Sequence, residues 1–168
     1  MKKILVPIDF SDEAKYACKV AASIAKQTGS EIILLHMLDI PTDAIDPLES
    51  DISRGGAQTI LFMKGIHRRF EKLKKQPFFD GIKLNENVKF HKAFEGVIEE
   101  SKNNDVDLIV MGSQGATGLK EMLVGSNTEK VVRKSHIPVL VIKQDVENFK
   151  VDDIIFASEF SETSKKTF

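Results

Sequence analysis

Two apolar runs near the N-terminus constrain this chain more than any other feature: Lys-Ile-Leu-Val-Pro-Ile at 3–8 and Glu-Ile-Ile-Leu-Leu-His-Met-Leu at 31–38. Neither alternates apolar with polar residues, so each reads as a strand covered on both faces. Between them, apolar residues recur at Ala14, Ala17, Cys18, Ala21, Ile24 and Ala25, the stripe of an amphipathic helix. Ser11 suits the N-cap, Asp12 and Glu13 suit the positive first turn, and Gly29 supplies the stop. Strand, helix and strand within 38 residues is the unit of a parallel sheet.

The alternation continues. A loop is expected over 39–56, with Pro41, Pro47 and Gly55-Gly56, followed by a helix over 57–75 that uses Ile60, Leu61, Met63, Ile66, Phe70 and Leu73. Then come a strand at 83–93, a helix at 94–104, a strand at 107–111, a helix at 126–135 and a strand at 138–142. The order predicts an α/β fold: a five-stranded parallel sheet, doubly wound, sandwiched by helices.

Bulk properties narrow the function. A formal net charge of -1 gives no global field to draw in nucleic acid or an anionic membrane. The basic stretch Lys64, Arg68, Arg69, Lys72, Lys74 and Lys75 reads as a solvated helix face, because the chain as a whole carries no excess positive charge. No stretch approaches the roughly 20 apolar residues of a membrane span. The single cysteine, Cys18, lies on an apolar helix stripe and reads as core rather than nucleophile. Having no partner for a disulfide, it fits a reducing cytoplasm. No Cys/His cluster has metal-ligand spacing. His36, on a buried strand, is expected to be a hydrogen-bonded core histidine.

The segment that carries chemistry follows the fourth strand. Gly112-Ser113-Gln114-Gly115 is followed by nine residues and then by Gly125-Ser126-Asn127-Thr128, where a helix begins. Gly112 and Gly115 let backbone approach a ligand closely. Gly125 permits a tight entry into the helix. The amides of Ser126, Asn127 and Thr128 lie at a helix N-terminus, where the dipole favours an anion. The hydroxyls of Ser126 and Thr128 can add hydrogen bonds or ligate a metal riding on phosphates. Plain turn glycines with Ser126 as an ordinary N-cap fit the same residues. Neither a Gly-x4-Gly-Lys-Ser/Thr loop nor a Gly-x-Ser-x-Gly elbow is present.

"ILVPIDFSDEA", "EIILLHMLD" and "DLIVMGSQGATGLKEMLVGSNTEKVVRKSHIPVLVIK" resemble the universal stress protein family, in its ATP-binding branch, across residues 2–143. The resemblance implies a Rossmann-like fold of the adenine nucleotide alpha hydrolase type and a cytoplasmic stress-response module that binds ATP with Mg²⁺ or Mn²⁺. It implies that Asp9 faces the nucleotide sugar with Pro7 beside it, and that Met37 meets the adenine through its backbone. It further implies that Met111 and Gly112 line the sugar side, while Gly115, Gly125, Ser126, Asn127 and Thr128 hold the phosphates. Gln114 stands where many relatives carry His or Arg, which leaves Lys120 as the nearby charge. Family members dimerise through the last strand, so a homodimer through the Val139–Ile142 edge is implied. Other readings stay open: Asp9 as only a helix cap, a slow ATPase or nucleotide transferase, and a nucleotide-free interaction protein.

The C-terminal stretch repeats the opening. With an offset of 150, Ile4, Phe10, Ser11 and Lys15 recur as Ile154, Phe160, Ser161 and Lys165, and Asp9 aligns with Glu159. A repeat at domain length predicts tandem domains. The expected organisation is a first domain over 1–144, a linker over 145–150 and the opening strand and helix start of a second domain over 151–168. In a longer tandem protein the two domains would pair with each other.

Overall fold

The side chains of Ile4, Val6, Ile32 and Leu34 point to one side of the first two strands and those of Leu5, Ile33 and Leu35 to the other, and all are buried. Period-two alternation through a sheet covered on both faces therefore divides the core in two. The computed structural model describes residues 1–38, 52–90, 92–114 and 125–155, with the side chains of 52–60 left aside. The elements are β1 (Lys3–Pro7), α1 (Asp12–Thr28), β2 (Glu31–Leu38), α2 (Ile52–Lys74), a 3₁₀ turn (Pro77–Phe79), β3 (Leu84–Phe90), α3 (Ala93–Asn103), β4 (Leu108–Gly112), α4 (Ser126–Lys134) and β5 (Val139–Ile142). The strands form one five-stranded sheet in the order β3-β2-β1-β4-β5, and every pairing is parallel. This is the expected doubly wound α/β fold.

One core lies between the sheet and α1, α2 and the 3₁₀ turn; the other includes Val97 of α3 and Val131 of α4. α1 begins where expected, with the Ser11 hydroxyl accepting from the Ala14 amide at 3.2 Å. It ends on Gly29 in the left-handed conformation, φ 68°, which needs no Cβ. Its burial exceeds the predicted stripe, since Val20 and Ala22 are also buried. The 3₁₀ turn packs against this helix, with Phe79 buried in the same core. So does the stretch after β5. Val146 and Phe149 pack on this core, Ser23 donates to the Phe149 carbonyl at 3.2 Å, and Lys19 pairs with Asp145. Residues 145–150, expected as a linker, therefore form a strap docked on α1.

Two boundaries differ from expectation. α2 starts at Ile52, so Gly55 and Gly56 lie inside a helix rather than in the loop expected there. A glycine costs about 1 kcal/mol relative to alanine in a helix, but it ends one only by turning left-handed. Of the predicted α2 stripe, Ile66 and Phe70 are buried while Leu61 is exposed. β3 is shorter than the 83–93 expected, because α3 begins at Ala93. Residues 39–51 and 156–168 lie outside the described residues, and with them most of the long loop and of the repeat. Val151–Ile155 belong to no strand here, and Ile154 and Ile155 are exposed.

Candidate functional site

The strand order reverses between β1 and β4, and open α/β sheets form their ligand crevice beyond the strand ends at such a point. A cleft of about 300 Å³ lies there. Of the residues singled out in the sequence, Pro7, Asp9, Met37, Met111, Gly112, Gly125, Ser126, Asn127 and Thr128 all line it; Gly115 and Lys120 lie outside the described residues. Gln114 lines it too.

Its floor is apolar. Leu35 and Met37 project from one face of β2, and Met111 reaches it from β4. Val97 of α3 and Val131 of α4 meet them, so the cleft opens onto the second core. Ile8, Ala14 and Ala93 complete the wall. Sequence reasoning singled out none of Leu35, Val97 and Val131 for the site, although Leu35 shares the strand face of Met37.

Its rim is polar and built from helix starts. The first bond of the α4 ladder runs from the Glu129 amide to the Gly125 carbonyl at 2.9 Å. The amides of Ser126, Asn127 and Thr128 precede the ladder, and Gly125 has no side chain to cap them. Two backbone bonds fix this rim: Gly125 donates to the Ser113 carbonyl at 2.6 Å, and Ser113 donates to the Ile142 carbonyl at 2.8 Å.

Three assigned roles change. The Thr128 hydroxyl, expected to face phosphate or metal, is buried and donates to the Gly112 carbonyl at 3.0 Å. It latches α4 to β4, and only its amide stands before the ladder. Gly112 was expected to open space for a ligand. A Cβ there would instead sit 2.9 Å from the backbone of Glu13, so the glycine permits β4 to pack on α1. Gly125 has extended backbone, φ −67° and ψ 150°, which any residue adopts. Asp9 both lines the cleft and supports a helix cap: its Oδ1 accepts the Ser11 amide at 3.0 Å and the Ser11 hydroxyl at 2.5 Å.

Other candidates fall away from the cleft. His36 donates from Nδ1 to the Ile8 carbonyl at 2.6 Å. Cys18 is fully buried, and burial pushes its thiol well above the usual range, which suits a core residue and not a nucleophile. Among the described residues no group of His, Cys, Asp and Glu is placed to hold a metal, and no helix is long and apolar enough to cross a membrane.

With this geometry, the comparison with known proteins is decisive for the family. The model of the universal stress protein family matches residues 1–143. The chain belongs to the universal stress protein family. Universal stress protein MJ0577 of Methanocaldococcus jannaschii is 31% identical over 163 residues, covering 85% of this chain and 95% of its own length. The solved MJ0577 structure superposes with a TM-score of 0.71 over 87% of this chain and 98% of that one. Two more distant universal stress proteins share the fold: one in complex with cAMP (TM-score 0.56, 18% identity, 84% of this chain and 96% of that one) and one from Archaeoglobus fulgidus in complex with dAMP (0.58, 20%, 85% and 98%).

Proposed function

We propose that this universal stress protein holds an adenine nucleotide in the β1–β4 cleft and acts as a stress-response binding module. The observation that carries the reading is a single cleft that joins an apolar floor to a rim of helix-start amides. Apolar walls suit a base, and amides ahead of a helix ladder suit phosphate. The nucleotides held by two proteins of the same fold support the same class.

In this reading the base lies against Leu35, Met37, Val97 and Val131, Asp9 faces the sugar, and Ser126, Asn127 and Thr128 donate their amides to phosphate. A cleft of about 300 Å³ is at the small end for ligand sites, so it encloses the nucleoside and leaves the outer phosphates of ATP at the rim. Mg²⁺ or Mn²⁺ is held chiefly by the phosphates, with the exposed Ser126 supplying a hydroxyl at that rim. Its charge offsets that of the phosphates. Asp9 is the one carboxylate among the described lining residues, and its Oδ1 is engaged by Ser11. Fast hydrolysis is therefore not expected.

Calorimetry with ATP and Mg²⁺ tests the reading. Saturable binding is expected, weakened in Asp9→Ala and in Gly125→Val; no heat and no thermal shift at millimolar ATP would reject it. Phosphate release above a Gly125→Val control would instead mark a slow ATPase. The outer position of β5 supports pairing with a second copy through Val139–Ile142. Light scattering at high concentration is expected to report a dimer, and a strictly monomeric protein counts against it. The proposed compartment is the cytoplasm, in keeping with the buried free thiol of Cys18.

A further inference from the structure

We infer that Phe10, His36 and Phe70 form a positioning stack that sets the aim of Asp9 into the cleft and thereby couples α2 to the site. The inference rests on the adenine-nucleotide reading for its consequence, but its structural basis is independent of any ligand. Phe10 has φ 65°, a left-handed conformation that a bulky aromatic residue rarely adopts. Such outliers persist where surrounding contacts over-determine them. Here the contacts are plain. The Phe10 ring lies 4.9 Å from the His36 ring and 5.2 Å, edge to face, from the ring of Phe70. The Arg69 guanidinium sits 5.5 Å over the same Phe10 ring. Phe70 is fully buried.

These contacts hold the chain on both sides of Asp9. Ahead of it, the Ile8 carbonyl can only accept, so the His36 Nδ1 carries the proton that meets it at 2.6 Å. After it, Phe10 is gripped from α2, and Ser11 then turns back to grasp Asp9 Oδ1. Phe10, His36 and Phe70 are not among the residues lining the cleft. They act on the face of the sheet away from its floor, and reach the site only through the loop. Hydrogen bonds to a ligand are directional, so a small rotation of this loop changes what Asp9 can accept. Filling the core alone accounts for a buried Phe70; it gives no reason for the left-handed residue these rings hold to stand next to the cleft carboxylate.

Two measurements test the inference. In the ligand-free protein, Phe70→Leu, remote in sequence from the loop, is expected to move the Ser11 amide resonance upfield as its bond to Asp9 loosens. An unchanged Ser11 amide in a folded Phe70→Leu protein overturns the coupling, whatever the protein binds. With MgATP, Phe10→Gly, which accepts the left-handed backbone freely, is expected to bind on the order of tenfold more weakly than wild type. In an Asp9→Ala background the same change is expected to have no further effect. Additive losses would show that Phe10 does not act through Asp9 and would overturn the inference. If wild-type protein takes up no nucleotide, the functional reading fails by itself, and the Ser11 resonance alone decides the stack.

Discussion

A Cβ at position 112 would lie 2.9 Å from both the Glu13 carbonyl carbon and the Glu13 Cβ, closer than real contacts allow. Gly112→Ala is therefore expected to destabilise the protein by about 1–3 kcal/mol, since backbone on both sides must give, and a lower denaturation midpoint would show it. The same glycine carbonyl takes the buried Thr128 hydroxyl. Thr128→Val keeps the shape and removes the donor, so a loss of about 1 kcal/mol is expected, with Thr128→Ser recovering most of it. At this scale the described residues singled out in the sequence line one cleft, while the reasons given for Gly112, Gly125 and Thr128 differ from what the structure shows. A glycine in a motif states that a Cβ is unwelcome, but not which neighbour refuses it. A threonine at a helix start offers a hydroxyl, but its rotamer depends on a strand end sixteen residues earlier in the chain.

Elements were legible where apolar runs and caps agree. β1, α1 and β2 fall within a residue of their expected bounds, because Ser11 and Gly29 mark the helix ends locally. The strap was not legible as such. Its residues Val146 and Phe149 are two apolar side chains in a polar stretch, and nothing local indicates that α1 leaves a face for them. The strap contributes through that packing more than through its charges. Phe149→Ala is expected to cost about 2 kcal/mol, below the range for a fully buried phenylalanine. Asp145→Ala is expected to cost less than about 1 kcal/mol, because both members of the Lys19 pair are partly exposed. Equal losses in urea unfolding would contradict this ranking.

For the whole molecule, acid stability follows from carboxylates held below their ordinary range. Asp107 accepts the backbone amides of Lys2 and Lys3, at 2.6 and 2.9 Å, and is lowered from 3.8 by those bonds. Hydrogen bonding to Lys83 lowers Glu31, and to Lys74 lowers Glu71, each from 4.5. A lowered folded-state value means stabilisation that is complete above the ordinary value and lost as pH falls through the folded one. Stability is thus expected to fall below about pH 4.5. Asp107→Asn should be less stable at neutral pH and lose less on acidification; parallel curves for the two proteins would refute the assignment. The sequence by itself determined the parallel sheet, the succession of strands and helices along the chain and the segments that meet at the cleft, because burial on two faces and helix caps are encoded by neighbours in the chain. Only the tertiary structure decided the strap on α1, the latch from Thr128 to Gly112 and the stack behind Asp9. Those depend on which distant side chains the packed elements bring within reach, and no local pattern carries that information.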